Sequence, residues 1–280
     1  MAGLEKYRGS GFILTHSVDD FPEDQSFPLH VHEDYELLCV AEGKVGYVVE
    51  GQVYDLRSGS LVLMRSAETH KLLVNRSERY ERYTLNFRPE LLAEHGFPTE
   101  LLAAFTERGL GERNQYHPSE FFGIEPLGVF RQMCADCAAF GADAAVPAHL
   151  VSLLCAINGA FLQKKESPAS SEDDMGRRII DYINEHLTEE LSLTVISEQI
   201  HMSTSQINRV FRKLTGTSVY HYILSKRLVV AQGMIAKGES ATAAGQACGF
   251  HDYSSFYRLY KKRFGTAPTT GKKKIMQIKA

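Results

Sequence analysis

One pattern occurs twice in the last third of the chain, and this repeat restricts the fold more than any other feature of the sequence. Residues 203–216 align with residues 252–265 at a constant offset of 49, so that Arg209 matches Arg258. In each copy a Ser or Asp suited to an N-cap precedes a run with helical spacing, and a Gly suited to a helix C-terminus follows it. The repeat predicts an all-α region with two helix-turn-helix units.

The positive charge of the chain is concentrated in the same region. Although the net charge is −3, residues 200–280 hold fourteen Lys and Arg against two acidic residues, whereas residues 1–170 are acidic. A basic segment of this kind favours a polyanionic partner. In each repeated helix the apolar residues fall on one stripe, so cations and hydroxyl groups remain on the other face, as a helix that enters the DNA major groove requires.

The segment between the two copies, residues 218–238, predicts a single long helix. About 17 residues at roughly 1.5 Å each span about 25 Å. A spacer of that size would place two recognition helices about one DNA turn apart, on one face of the duplex.

The remainder of the chain predicts a second domain. A length of 280 residues suggests two domains. The polar stretch KKESPASSEDD, residues 164–174, is the predicted linker. The predicted domains are therefore residues 1–163 and residues 175–280.

The first domain begins with strands and continues with helices. Over about the first 90 residues, short β-branched and aromatic runs are separated by Gly43, Gly51 and Gly59. Short strands with regularly spaced glycine turns are typical of a β-sandwich or barrel. Residues 90–163 show helical spacing instead, and we expect these helices to pair across a two-fold axis and form a homodimer.

Composition argues against several other classes of protein. The chain has no apolar run of the roughly 18 residues that span a bilayer, and its first residues lack an apolar signal core, so we expect a cytoplasmic protein with no membrane partner. The five cysteines are odd in number and scattered, which does not suit a disulfide framework. Cys134 and Cys137 form a CxxC in a helical context, and we expect them to pack rather than to bind metal.

A cluster of polar side chains is predicted in the strand region. His30, His32 and Glu36 have the same parity, so on a regular strand they point to one face, and His70 follows on a later strand. Three imidazoles and a carboxylate can bind a divalent transition metal. The same groups can instead form hydrogen bonds to a small ligand, or serve only as satisfied polar residues of the fold.

Residues 176–271 resemble the DNA-binding domain of the AraC/XylS family of bacterial transcription regulators. The resemblance is carried by RLVVAQGMIAKG at residues 227–238 and by ACGFHDYSSFYRLYKKRFGTAP at residues 247–268. The helix before Gly249 departs from the family, because Gly245 and alanines stand where aliphatic residues are usual. We therefore expect that helix to be less well packed.

The DNA contacts are predicted on the polar faces of the two repeated helices. The predicted residues are Ser205, Asn208, Arg209 and Arg212 in the first copy, and Tyr253, Ser254, Tyr257, Arg258 and Lys261 in the second. The resemblance implies base contacts for all of these except Arg212 and Lys261. Arg209 and Arg258 also have the side-chain chemistry that binds guanine.

The first 90 residues are similar to the cupin barrel, whose interior can bind a metal through three His and one Glu in this arrangement. Arg65 and Ala67 stand where the second cupin motif usually has Pro and Gly. In the sensor cupins of this regulator family the four residues often face a small ligand without metal. The resemblance therefore implies an effector site with no metal and no cofactor, made of His30, His32, Glu36 and His70.

The expected effector is a carbohydrate. The His and Glu side chains, together with Tyr47 or Tyr83, can both donate and accept hydrogen bonds, which suits a ligand rich in hydroxyl groups.

These features combine into one prediction for the whole chain. Its fold class is α+β in two domains, with a cupin-like β-barrel and following helices at the N-terminus and an all-α domain with two helix-turn-helix units at the C-terminus. The predicted function is a transcription regulator, not an enzyme, that binds double-stranded DNA, a small-molecule effector and RNA polymerase. The alternatives are a metal-dependent cupin sensor or enzyme fused to a DNA-binding domain, and a DNA-binding protein without an effector. Activation and repression are equally open.

Overall fold

A computed structural model describes residues 3–20, 22, 29–74, 78–164 and 175–269 of the chain. Their contacts divide the chain into two compact units, Met1–His30 with Asp34–Ser170, and Val31–Glu33 with Ser171–Ala280. Apart from Lys164, the predicted linker at residues 164–174 lies outside the described residues. The proposed domain boundary therefore stays a prediction.

The described part of the first unit contains nine strands. They are β1 (Gly3–Gly9), β2 (Phe12–Asp19), β3 (Tyr35–Glu42), β4 (Val45–Val49), β5 (Gln52–Leu56), β6 (Leu61–Met64), β7 (His70–Leu73), β8 (Tyr80–Phe87) and β9 (Gln115–Tyr116). Six of them form an antiparallel sheet in the order β1-β2-β8-β3-β6-β9, and three form a second sheet in the order β5-β4-β7.

The predicted barrel is thus present as two sheets with a common core, and the described strands do not close into one barrel. The reason lies at the turn after β3. Gly43 has a φ of 99°, and the chain leaves β3 there, so that β4 pairs with β5 and β7 and not with β3. The sheets nevertheless share apolar residues, since Leu38 and Val40 of β3 pack with Tyr47 and Leu72. The predicted two-domain α+β class is confirmed.

Strand β3 is buried on both faces. Tyr35, Leu37 and Cys39 belong to a core that lies between the six-stranded sheet and the helices. Leu38 and Val40 belong to the core between the two sheets. Alternate residues of a strand point to opposite faces, so β3 serves both cores at once. Glu36 shares the parity of Leu38 and therefore faces the space between the sheets.

Helices complete the first unit. They are α1 (Glu90–Glu94), α2 (Ala103–Thr106), α3 (Pro126–Phe140) and α4 (Ala142–Gln163), with 3₁₀ turns at Thr99–Leu102 and Pro118–Glu120. Cys134 and Cys137 lie in the core that α3 shares with the sheet, and burial raises the pKa of Cys134 to about 12. A buried, protonated thiol is a poor metal ligand and a poor nucleophile, so these two side chains contribute packing.

Helix α4 differs from the expectation that the chain has no apolar run long enough for a bilayer. By length and composition α4 could cross a membrane, with a mean hydropathy of 1.7 over its most apolar stretch. Half of that stretch is buried inside the protein, including Leu150, Leu153 and Ile157. Packing against α3 and the sheet therefore accounts for its apolar character.

The second unit is helical throughout its described elements. They are α5 (Met175–Glu185), α6 (Leu193–Ile200), α7 (Thr204–Thr215), α8 (Val219–Ala236), α9 (Ala241–Ala247) and α10 (Tyr253–Phe264). Helices α7 and α10 both have 12 residues and keep the offset seen in the sequence. Helix α8 is the predicted single spacer, with 18 residues. The two predicted helix-turn-helix pairs are thus α6–α7 and α9–α10.

Candidate DNA interface and effector site

The two repeated helices begin at well-formed caps. The hydroxyl of Ser203 accepts from the backbone N–H of Gln206 at 3.3 Å, and the Gln206 side chain accepts from the backbone N–H of Ser203 at 3.0 Å, which is a complete capping box. The carboxylate of Asp252 accepts from the backbone N–H groups of Ser254 and Ser255 at 3.2 and 2.7 Å. The hydrogen bonds from Ser255 and Ser254 hold the pKa of the Asp252 carboxyl below its usual range.

Buried residues on one face hold each of these helices against its unit. In α7 these are Ile207 and Phe211, both fully buried, and in α10 they are Phe256 and Tyr260. The ring of Phe211 contacts that of Tyr222 on α8 edge to face, with centroids 5.1 Å apart. The apolar stripe expected from the sequence is therefore the packed face.

The structure places all nine predicted DNA-contacting residues on the outward faces of α7 and α10. Exposed members are Ser205, Arg209, Arg212, Tyr253, Ser254, Arg258 and Lys261, whereas Asn208 and Tyr257 are partly exposed. The Arg258 guanidinium lies along its own helix, where it donates to the hydroxyl of Ser255 at 3.2 Å. This contact is exposed and weak enough for a DNA base to replace it.

The turns inside the two helix-turn-helix units differ in length. Three residues, 201–203, separate α6 from α7, whereas five residues, 248–252, separate α9 from α10. The first turn passes through His201 in the left-handed region at a φ of 59°, and the second passes through Gly249 at a φ of 76°. The repeat is therefore regular in its second helices but not in its turns.

The four predicted effector residues come together in the first part of the chain. His30, His32, Glu36 and His70 each offer one side-chain ligand atom, and these four atoms lie within 4.8 Å of one another. Backbone hydrogen bonds bring His30 and His70 together, since each N–H donates to the other's carbonyl at 3.0 and 2.9 Å. Their rings meet edge to face at 4.1 Å.

Glu36 and His70 are the buried members of this cluster. Glu36 is 5% exposed and accepts from the Asn86 side-chain amide at 2.7 Å. His70 is fully buried and its Nε2 lies 3.8 Å from the Glu36 carboxylate. The Nδ1 of His70 lies 2.9 Å from the carbonyl oxygen of Glu68. A carbonyl only accepts, so Nδ1 carries the proton and Nε2 is the atom that faces the cluster.

Tyr47 adds a neutral hydroxyl to the same space. Its ring stacks near that of His70 at 6.1 Å, and burial, reinforced by Glu36, raises the pKa of Tyr47 well above its usual value. Tyr83, the alternative to Tyr47, does not lie in this space. Tyr83 points to the opposite face of the sheet, where it stacks on His16 at 4.3 Å and belongs to the core next to the helices.

Two polar contributors were not found from the sequence. Asn86 lies directly opposite Glu36 in the β3–β8 register. Arg82, on the same face of β8, forms an ion pair with Asp19 at 3.1 Å. The sequence shows that Arg82 and Asn86 have the same parity on β8. It does not show that β8 pairs with β3, because this pairing connects residues about 50 positions apart.

A second buried polar cluster lies next to His70. The Arg108 guanidinium donates to both oxygens of the Glu68 carboxylate, at 2.6 and 2.8 Å, and both side chains are fully buried. Glu68 also accepts from the backbone N–H of Gly111 and from the Asn114 amide, at 2.9 and 3.1 Å. This ion pair fixes the loop that presents His70.

Comparisons with known proteins match both units. A family model described as an AraC-like ligand binding domain matches residues 20–154, and one described as a helix-turn-helix domain matches residues 196–274. Among curated proteins, the HTH-type transcriptional activator RhaS of Salmonella agona is 24% identical over 275 residues, covering 91% of this chain and 95% of RhaS.

Two solved structures also align with most of the chain. Unsaturated fatty acid bound ToxT from Vibrio cholerae has a TM-score of 0.40 at 12% identity and covers 93% of this chain and 94% of ToxT. The AraC-like transcriptional activator CuxR has a TM-score of 0.40 at 13% identity and covers 81% of this chain and 79% of CuxR. The two family models, taken with the capped repeat of α7 and α10, lead to one conclusion: the chain belongs to the AraC family of transcription regulators.

Proposed function

We propose that this chain is a cytoplasmic, one-component regulator in which an effector bound at His30, His32, Glu36 and His70 changes DNA binding by α7 and α10. The observation that supports it best is the convergence of these four polar side chains within 4.8 Å. Effector binding shifts the populations of DNA-binding states, and no chemical step is required.

The proposed DNA contacts divide into two roles. Arg209 and Arg258 bind guanine in the major groove, one on each recognition helix, and the remaining polar residues of those helices contact neighbouring bases. Arg212 and Lys261, further along each helix, bind phosphate. This division follows from position, because the N-terminal turns of a recognition helix reach the base edges.

Two variants of α10 test this division. Arg258→Ala should weaken binding to the preferred duplex by about 1–3 kcal/mol and relax the preference at one base pair. Lys261→Ala should weaken all duplexes alike and lower the slope of affinity against salt by about one unit. Fluorescence anisotropy with a duplex selected from a random-sequence library measures both. Unchanged affinity of Arg258→Ala for the selected duplex would rule out the proposed orientation of α10.

The proposed effector is a carbohydrate or similar polyol. Glu36 and the Asn86 amide, together with the Tyr47 hydroxyl and the imidazoles, offer donors and acceptors on one partly buried polar surface, which matches a ligand with many hydroxyl groups. A thermal-shift screen with sugars, organic acids and divalent metals tests the class. A ligand at one hundred times its dissociation constant should stabilise the protein by about 2.7 kcal/mol.

The Glu36→Gln variant then locates the site. It should weaken the effector response by about 1–3 kcal/mol, because a charged acceptor is lost, while DNA binding without effector is unchanged. Glu42→Gln is the matched control, since Glu42 ends the same strand with an exposed side chain. An equal response in both variants would place the effector elsewhere.

A second function, metal-dependent sensing, is favoured by the tautomer of His70. Its Nδ1 donates to the carbonyl of Glu68, which leaves Nε2 facing the cluster, and metal-ligating histidines are commonly oriented by such a second hydrogen bond. The three imidazoles and the Glu36 carboxylate would hold the ion, and it would act as a fixed positive charge that orders them. Elemental analysis distinguishes the two functions. We expect the purified protein to be mostly metal-free. One equivalent of a transition metal per chain, lost in His32→Ala, would support metal sensing instead of carbohydrate binding.

The dimer is proposed through the outward face of α4. Ala148, Ser152, Cys155 and Leu162 are exposed along this helix and none is charged. Leu162→Lys should dissociate the dimer in sedimentation velocity, whereas Phe122→Lys, a similar change at another exposed apolar residue, should not. A monomeric wild-type chain would contradict this.

By analogy with RhaS, which is named an activator, the DNA-bound dimer is proposed to activate transcription with RNA polymerase as its partner.

A further inference from the structure

One side chain on α8 is bonded both to the connection that precedes the first helix-turn-helix pair and to the turn inside the second pair. Arg227 donates from Nε to the carbonyl of Leu187 at 2.8 Å and from Nη2 to the carbonyl of Glu189 at 2.6 Å. Both carbonyls lie in the connection between α5 and α6, which leads into the first helix-turn-helix pair, α6–α7. From Nη1, Arg227 donates to the carbonyl of Gly249 at 2.9 Å, and Gly249 lies in the turn between α9 and α10.

We propose that Arg227 is a positioning residue that fixes the distance and the rotation between α7 and α10, and thereby sets the spacing of DNA half-sites that the protein accepts. The proposal rests on DNA binding by both of these helices. Arg227 itself need not contact DNA.

The chemistry of the contact suits this role. A guanidinium is a rigid planar fork whose donors point in fixed directions, so three carbonyls bound at once fix three backbone positions relative to one another. A Lys side chain carries a single nitrogen on a flexible stem and cannot reproduce this geometry. Substitution by Lys therefore keeps the charge and removes the fork.

The turn between α9 and α10 provides one of the three carbonyls that the Arg227 guanidinium binds. It is two residues longer than the turn between α6 and α7 because α9 ends at Ala247, whereas at the offset of 49 the last residue of α6 corresponds to Gly249, whose carbonyl accepts from Arg227 of α8. Gly249 has a φ of 76°, and a Cβ there would stand 2.8 Å from the Arg227 Cζ. A side chain at this position would push the guanidinium away, so the glycine is required by the contact as well as by the backbone.

Arg227 bridges two segments that have an open space between them. A cleft of about 330 Å³ lies between them, lined by Thr188, Glu189 and Glu190 on one side and by Gln246, Phe250 and His251 on the other. The α9–α10 pair is held to α8 by its own apolar core, including Leu228, Ala231 and Phe256. The Arg227 guanidinium therefore links the α5–α6 connection to the α9–α10 turn across this cleft.

The adjacent Lys226 provides a matched control. It is buried, and its Nζ donates to the Asn184 side chain of α5 at 2.5 Å. This contact joins α8 to α5, which precedes the first helix-turn-helix pair, and does not involve the turn between α9 and α10. Loss of Lys226 should therefore lower stability without changing the relation between α7 and α10.

The experiment measures affinity as a function of half-site spacing in the full-length chain. A duplex selected by the wild-type chain from a random-sequence library is compared with derivatives that have one or two base pairs added or removed between the half-sites, and with a duplex that keeps one half-site. We expect the ratio of affinities between the selected and the shifted spacing to fall roughly tenfold in Arg227→Lys, with the affinity for one half-site unchanged. Lys226→Met should keep the wild-type ratio.

The possible results separate the role of Arg227 from that of the two helices. If Arg227→Lys binds every duplex more weakly by one common factor, Arg227 contributes stability alone and the proposal is wrong. If the wild-type chain itself binds all spacings equally, binding by two helices is refuted, and this proposal with it. Circular dichroism and the melting temperature identify a variant that fails to fold.

Gly249→Ala, which displaces the guanidinium without removing it, provides a second variant. It should show the same loss of spacing preference, and a retained preference there would count against the proposal.

Discussion

The buried pair of Arg108 and Glu68 allows a quantitative prediction for the first unit. Arg108→Met keeps much of the side-chain volume and removes the guanidinium. The Glu68 carboxylate would then remain fully buried with the backbone N–H of Arg65, that of Gly111 and the Asn114 amide as donors, but with no cation. Removing one partner of a buried ion pair typically destabilises a protein by about 3–5 kcal/mol.

That free energy can be converted into a shift of the melting temperature. For a unit of this size, each kcal/mol corresponds to about 2–4 °C, so the transition of the first unit should fall by roughly 6–20 °C. Differential scanning calorimetry measures this directly. The transition of the helical second unit serves as an internal reference and should not move, because neither residue belongs to it.

Two further variants test whether the loss of stability comes from burying an unpaired charge. Arg88→Met breaks a comparable pair with Glu94 at 3.0 Å on a partly exposed surface, where a loss below about 1 kcal/mol is expected. The double variant Arg108→Met with Glu68→Gln should be more stable than Arg108→Met alone, because no buried charge remains. The reasoning is refuted if Arg108→Met lowers the transition no more than Arg88→Met does.

Two other predictions concern the second unit and the thiols. Ser203→Ala removes the capping box of α7 and should destabilise the second unit by about 1 kcal/mol. The same calorimetric measurement tests this, and an unchanged transition would show that the cap does not stabilise the unit. Of the five thiols, only Cys155 is exposed in the single chain, whereas burial raises the pKa values of Cys39 and Cys134 to about 12. Because Cys155 lies on the proposed dimer face of α4, titration of the monomeric Leu162→Lys chain with a thiol reagent should show one fast-reacting group that a further Cys155→Ser substitution removes. A second fast thiol would contradict the buried assignments.

Local signals in the sequence predicted the local structure well. Gly43, Gly51 and Gly59 all lie in turns with positive φ, where a residue without Cβ is favoured. The caps of α7 and α10 and the single helix α8 also follow from neighbouring residues. The four residues of the effector cluster were selected from strand parity and family resemblance, and the structure brings their side chains together. Their binding role stays a prediction.

Contacts between distant segments could not be predicted in this way. Asn86 becomes a partner of Glu36 only through the pairing of β3 with β8, and Arg108 reaches Glu68 from a different loop. Gly245 is a further example. The sequence suggested a packing defect in α9, but a Cβ at Gly245 would stand 3.1 Å from the ring of Phe256. The glycine lets α10 approach α9 closely, so the expected poor packing is wrong.

The double burial of strand β3 has an evolutionary consequence. Its odd-numbered residues Tyr35, Leu37 and Cys39 support the helices, and its even-numbered residues Glu36, Leu38 and Val40 face the space that holds the effector cluster. Point mutations at even positions could therefore change ligand preference in descendants of this protein while the helical half is inherited intact. An insertion of a single codon in the strand would exchange the two sets and destroy both. Diversification along this strand should consequently proceed by substitution, and natural variants with insertions or deletions inside it should be rare.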